Sequence, residues 1–357
     1  MSALLEYKCP CCGGAIEFNS GTQNMKCPYC DTEFGIDTLK EYESALQENT
    51  GDLLNWQSGG TEWLSSEQQG MKIYTCNSCG GQIIADETTS ASACPYCDNP
   101  VVMTGQLSGG LRPDVVIPFK IDKKSAEEAL RRHLKGKFLL PGSFKTENRL
   151  EEIKGVYVPF WLFDCDAEAH LTYKATRLRH WSSGSYDYTE TSHFLVVRDG
   201  EISFNKVPVD GSTKMPDDLS ESVEPYDYNS CEPFNPAYLA GFLADKYDVN
   251  SDESAQRANQ RIHASTEAEF RKTVNGYASV IQDSSNIRLR QGKATYALLP
   301  VWILSTNYRG QIYRFAMNGQ TGKFVGNLPT DWGKFWGLFA GIFAVVTGII
   351  FAITSLN

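Results

Sequence analysis

Apolar and polar positions sort the chain into segments of very different character. The longest apolar run, Phe335 to Thr354, contains twenty residues and no charge: FWGLFAGIFAVVTGIIFAIT. Wound as a helix it rises about 30 Å, the hydrocarbon thickness of a bilayer. The alternative is a buried core helix, but core helices seldom stay apolar on every face for this long, so the pattern predicts a transmembrane helix. Trp332 and Trp336 stand at its entrance, with Lys323 and Lys334 on the same side. Amphipathic aromatics and lysines there predict a single-pass cell-membrane protein whose N-terminal bulk is cytoplasmic. Only Ser355, Leu356 and Asn357 follow the span, and Met1 to Lys8 has no secretory-signal pattern.

Shorter patterns fill the middle. Val115 to Lys120 reads as a strand leading to a helix over Ser125 to Lys135, with Ser125 and Glu128 in capping-box spacing and Gly136 as the stop. Val156 to Phe163 is a nearly continuous apolar run and predicts a strand buried on both sides. Pro159 within it implies an edge or a bulge. A second set of signals lies 141 residues on, where Pro300 and Trp302 match Pro159 and Trp161, and Ile312 and Ala316 match Leu171 and Ala175. Helices are predicted from Pro236 to Tyr247, capped by Asn235, and from Ser251 to Val274. Hairpins are predicted at Asp199-Gly200 and at Asn318 to Gly322. Pro208 to Pro236 reads as an acidic surface loop. The sum is an α+β domain of two related halves sharing a mostly antiparallel sheet.

Cysteine changes the picture of the first third. Cys9, Cys12, Cys27 and Cys30 recur 67 residues later as Cys76, Cys79, Cys94 and Cys97, both sets reading C-x2-C-x14-C-x2-C. Tyr7, Gly13-Gly14, Ile16, Pro28-Tyr29 and Asp31 recur with them, which marks a repeated structural unit. Paired cysteines two apart present both thiolates to one tetrahedral ion, and all-cysteine sets leave no position open for water. Two structural Zn2+ sites are therefore predicted; iron in a rubredoxin-like site fits the same ligands, and spacing does not separate the metals. A unit of about 25 residues buries too little to fold alone, so the metal must stabilise it. Cys11 lies inside the first knuckle, while Cys165 and Cys231 have no such partners. Between the ribbons, Thr38 to Glu48 reads as a short helix, and the stretch holding Trp56 and Trp63 is either a tether or packs on a ribbon.

Charge then selects among partners. The first hundred residues carry four lysines, no arginine and fourteen acids, so the whole net charge of -10 resides there. Polyanion binding needs clustered Lys and Arg, and each zinc with four thiolates adds a formal -2. These ribbons are predicted to avoid nucleic acid and anionic headgroups and to face protein. No phosphate loop, HExxH or GxSxG occurs, and no catalytic residue is assigned. His170, His180 and His193, near Tyr186, Asp187 and Glu190, fit alternation along exposed strands. Gly337 and Gly341 form GxxxG, continued by Ala344 and Gly348, a stripe that permits pairing of two copies.

Cys9-Pro-Cys-Cys12, the two Cys-Pro-Tyr-Cys knuckles, Pro159-Phe160-Trp161, Pro300-Val301-Trp302 and the terminal span together resemble a bacterial family of zinc-ribbon membrane proteins, the YdjG-like family. Related sequences carry TFIIB-type zinc-ribbon or primosomal helicase PriA labels; the ligands account for such labels, and the helicase core is absent here. The resemblance implies partners at the cytoplasmic membrane face, with phage shock protein A and flotillin-like proteins as examples. The expected organisation is a ribbon at 1–36, a helix and linker at 37–70, a second ribbon at 71–106, the duplicated α+β domain at 107–330 and the anchor at 331–357. The expected role is a non-enzymatic membrane adaptor in envelope stress, and the alternative is a membrane-tethered nucleic-acid-binding protein.

Overall fold

The computed structural model describes residues 9–10, 16–35, 37–39, 54, 56–86, 88–107, 109–142, 144 and 152–356. Its strands are β1 (Glu17–Asn19), β2 (Asn24–Lys26), β3 (Glu33–Phe34), β4 (Met71–Cys76), β5 (Gln82–Asp86), β6 (Val101–Gln106), β7 (Val115–Val116), β8 (Lys154–Ser183), β9 (Tyr186–Asp210), β10 (Glu232–Pro233), β11 (Leu243–Asp245), β12 (Ser279–Tyr308), β13 (Gln311–Asn318) and β14 (Phe324–Gly326). Its helices are α1 (Ser65–Gln69), α2 (Lys123–Leu134), α3 (Asp217–Ser222), α4 (Ser251–Lys272) and α5 (Trp332–Leu356). The result is a sheet-rich α+β protein. Contacts divide it into two units: 1–58, 163–207 and 255–294 in one, and 59–162, 208–254 and 295–357 in the other.

The first unit holds the small sheet β1-β2-β3, the outer parts of β8, β9 and β12, and most of α4. β8 turns into β9 at Gly184-Ser185, with Gly184 at φ +65°. No turn occurs at the predicted Asp199-Gly200, because β9 runs straight through it. Gly200 answers a packing need instead: a Cβ there would lie 3.2 Å from the Phe270 ring of α4. Ala255, Ala258, Ile262, Thr266 and Phe270 form the buried stripe of α4 at three- and four-residue spacing. Trp56 is buried with its ring edge-on to Phe163, 4.8 Å between centroids, so that part of the linker packs. Of the predicted helix Thr38 to Glu48, only residues up to 39 are described, and those are helical.

The second unit is built on β7-β12-β8-β11-β5-β4-β6, extended by β10, β13 and β14. Val156 to Leu162 is buried throughout, as expected of a strand covered on both faces. Pro159 is tolerated because β11 pairs with β8 only at Val156 and Tyr157 and has ended before the proline. Its carbonyl accepts from the Gly211 amide at 2.9 Å, while that of Pro300 accepts from the Gly319 amide at 2.8 Å. Trp161 Nε1 donates to Val249 O, just ahead of α4, and Trp302 Nε1 donates to Ile121 O, just ahead of α2. β11 lies parallel to β8, and β7 parallel to β12. The further match of Leu171 and Ala175 with Ile312 and Ala316 fails, since the first pair lies in β8 and the second in β13, past a turn.

Local boundaries differ from expectation where a neighbour decides them. Asp122, rather than Ser125, caps α2 by accepting from the Ser125 amide. The strand before it shrinks to Val115–Val116. Asn235 does cap, accepting from the Ala237 amide, but a single 3-10 turn over Pro236–Leu239 follows, and the chain then enters β11. Pro208 to Pro236 is more than a solvated loop: Met215, Val223 and Tyr226 are buried in the main core. Trp63 is buried edge-on to Phe234, 5.7 Å between centroids. The Asn318 to Gly322 turn joins β13 to β14, with Gly322 at φ +78°.

α5 is long and apolar enough to cross a membrane, and none of Trp332–Phe351 is buried. Asp331 caps it, accepting from the Gly333 and Lys334 amides. The Asp331 amide donates to Leu139 O and Lys334 Nζ to Leu140 O, both at 2.8 Å, which ties its first turn to the loop after α2.

Candidate metal centres

Hairpins and tight knuckles position the cysteines. At the second cluster, β4 ends on Cys76 and a turn returns the chain to β5; the Gly80 amide donates to Cys76 O and the Cys76 amide to Gly81 O, both at 2.9 Å. Gly80 sits at φ +72°, the relief anticipated for a glycine after the knuckle. The opposing knuckle closes with the Asp98 amide on Cys94 O and the Cys94 amide on Asn99 O. Its left-handed residue is Asp98, φ +58°, matched in the first ribbon by Asp31, φ +55°. Asp tolerates that conformation better than most residues, which explains the Asp after each Cys-Pro-Tyr-Cys.

Cys76, Cys79, Cys94 and Cys97 converge. Sγ of Cys76 lies 3.5 Å from that of Cys97, and Sγ of Cys79 lies 3.6 Å from that of Cys94. All four sulfurs fall within 4.8 Å of one another. A tetrahedral ion with metal-sulfur bonds of about 2.3 Å requires sulfur separations of about 3.8 Å, so this group is of the right size to hold one. Disulfides would need about 2.05 Å. Cys9, Cys27 and Cys30 form a second such group, with Cys9 and Cys30 sulfurs 3.6 Å apart. Cys12, the expected fourth ligand, and Cys11 lie outside the described residues.

The protein around the sulfurs already favours thiolate at one edge of each group. Burial pushes the Cys97 thiol up, and hydrogen bonds from the Asn99 side chain and backbone overcome this, leaving it at about 7. Cys30 behaves alike: burial opposes ionisation, Thr32 hydrogen bonds favour it, and the outcome is about 7. Burial raises Cys94 and Cys79, so those thiols would lose their protons to the metal.

The two groups differ in their surroundings. The second belongs to the large sheet, since β5 pairs with β11. Tyr96, inside its knuckle, is 1% exposed, and its hydroxyl donates to Asp245 at 2.8 Å; Ser212 donates to the same carboxylate oxygen at 2.6 Å. Ser305 donates to the Pro95 and Tyr96 carbonyls, and Arg314 to the latter. Lys154 reaches Ala93 O, Cys94 O and Asp98. Among the described residues, the first group packs with Phe34, Leu39, Ile16, Met25 and Leu195, and Tyr29, at the position of Tyr96, is 75% exposed.

Other candidates disperse. His170 pairs with Asp199, and His180 Nδ1 is 2.9 Å from Thr189 Oγ1 on the exposed hairpin, so the histidines satisfy separate neighbours. Cys165 is buried and Cys231 half-buried, and among the described residues neither joins a cysteine group. A cavity of about 410 Å³ opens between Thr89–Ala93, the start of α2 and Trp302, lined by Lys123, Lys154, Phe242 and Gly155.

No family model matches the chain, and no solved structure matches it. Over 332 residues, 93% of its length and 92% of the relative's, the chain is 36% identical to a protein of Bacillus subtilis (strain 168) named Uncharacterized protein YdjG, and it belongs to that protein's family.

Proposed function

We propose that the chain is a non-enzymatic adaptor fixed to the cell membrane by α5, holding two structural zinc ions and presenting its cytoplasmic surfaces to other proteins. The observation that carries this reading is the exposed apolar helix. Leu338, Phe339, Ile342, Phe343, Val345, Val346, Ile349, Ile350 and Phe351 are all exposed around its circumference. Water penalises that surface by about 25 cal/mol per Å², and a bilayer removes the penalty. Zinc is the metal of the reading because an all-cysteine set leaves no position open for water and suits a structural ion. The fourth ligand of the first site is then Cys12.

Protein rather than nucleic acid is the partner class, because the ribbons' excess of acid repels polyanions. The family resemblance makes phage shock protein A and flotillin-type proteins the first partners to test. The paired arrangements around Pro159 and Trp161, and around Pro300 and Trp302, support a duplication in which each half lends its short parallel strand and pre-helix carbonyl to the other. The deciding experiment fractionates cells expressing the full chain, cross-links in situ and measures metal. Retention in carbonate-washed membranes, two zinc ions per chain and nuclease-resistant, ribbon-dependent protein cross-links are expected. A soluble chain, a metal-free chain, or salt-dependent DNA capture by the ribbons would overturn the reading.

A further inference from the structure

The first turn of α5 is tied to a second kind of surface, opposite in charge to the ribbons. Arg131 and Arg132 end α2, Lys135 caps it, and Gly136 at φ +78° turns the chain into Lys137 and Phe138. All four cations are exposed, and none forms an ion pair among the described residues. Arg131 and Arg132 complement the negative end of their helix, a sufficient structural reason for them. Lys135, at the C-cap, shares that reason; Lys137 lies beyond the helix and does not.

Phe138 is equally unexplained by packing. It is 65% exposed, whereas Leu140 and Phe144 from the same segment are 2% and 1% exposed in the core. The next residue along, Leu139, accepts from the Asp331 amide, and Leu140 O binds Lys334 Nζ. Lys137 therefore stands two residues, about 7 Å of chain, from a hydrogen bond to the first turn of α5. That is about one Debye length at physiological salt. Trp332 and Trp336, in the first turns of α5, are 64% and 58% exposed. Among the described residues, Asp331 is engaged with Lys334, and Glu127 and Glu128 lie a turn further back on α2.

We propose that the end of α2 and the loop through Phe138 form a docking surface for anionic lipid headgroups, with Phe138 inserted at the interface beside α5. This rests on the reading of α5 as the anchor. A basic cluster held against the entrance of a span meets the negative cytoplasmic leaflet at close range, and each Lys or Arg there strengthens attachment about fivefold.

The test uses the full chain in nanodiscs of phosphatidylcholine alone and of phosphatidylcholine with phosphatidylglycerol, read by acetylation of Lys135 and Lys137 and by amide exchange over residues 131–140. Both should slow about fivefold or more in the anionic discs, with Lys72 as an unaffected control. The exposed variant R131Q/R132Q/K135Q/K137Q should enter discs as readily but lose the difference. Equal labelling in both discs, with the chain inserted, would overturn the docking surface and leave the anchor standing. Failure to enter either disc would overturn the anchor and the docking surface together. Equal protection by soluble glycerol phosphate with neutral discs would show a free-phosphate site and overturn lipid docking.

Discussion

The two ribbons share a ligand pattern and differ in what surrounds it. Tyr29 and Tyr96 occupy the same place in identical Cys-Pro-Tyr-Cys knuckles, yet one is 75% exposed and the other 1%. The second knuckle has its carbonyls bound by Ser305 and Arg314 and its tyrosine by Asp245, so this cysteine group is one corner of a larger core. The first rests on a three-stranded sheet separate from the large one. Coordination chemistry fixes the shape of a knuckle, while burial is decided by what the rest of the chain brings to it. One module can thus serve as an independent knob and, repeated, as a structural member.

The largest expected effect follows from removing one ligand from each. Cys94→Ser and Cys27→Ser should each halve the bound metal, and each loses a site worth on the order of 10 kcal/mol to the folding of an isolated ribbon. In the first ribbon that loss stays local. In the second it propagates into β5, β11 and the core around Tyr96, lowering Tm by about 10 °C or more, since several kcal/mol cost about 2–4 °C each in a unit of this size. Circular dichroism melts of the two variants check this; equal Tm values would erase the distinction between knob and member.

What the sequence could disclose divides along the same line. The cysteine spacing and the apolar terminal run were legible because a metal and a bilayer act on contiguous residues, and the structure brings seven of the eight predicted ligands into two groups, with Cys12 outside the described residues. The 3-10 turn and β11, in place of a helix from Pro236, were not legible, because that three-residue strand exists only by pairing with β5 and β8. Asp199-Gly200 imitated a turn, since the reason for the glycine, the Phe270 ring, is 70 residues away. Nor could identical knuckles announce that one tyrosine would find a buried carboxylate.

That carboxylate gives the second ribbon a pH response of its own. Burial drives Asp245 upward, hydrogen bonds from Ser212 and Tyr96 oppose it, Asp248 raises it and Lys214 lowers it, and it settles at about 7 against 3.8 ordinarily. Between those values the folded chain binds the extra proton, so this group's contribution to stability falls as pH rises from about 4 to about 7 and is flat above. Asp245→Asn should remove that part of the slope in denaturant titrations across pH. A variant retaining the full wild-type slope would mean that Asp245 is ionised throughout.

The smallest effect is also the most direct comparison, deletion of one oxygen from each knuckle. Tyr96→Phe strips the 2.8 Å donor from Asp245 and leaves Ser212 to hold a carboxylate already short of partners, its Oδ1 being buried without a hydrogen bond. Losing a donor to a buried carboxylate costs about 1–3 kcal/mol. Tyr29→Phe removes a hydroxyl from an exposed ring and should fall within about 0.5 kcal/mol of wild type. Both substitutions keep ring, ligands and metal, so urea midpoints compare the surroundings alone. If the two shifts are equal, the Tyr96 hydrogen bond contributes nothing beyond packing, and the integration of the second ribbon rests on the carbonyl contacts from Ser305 and Arg314.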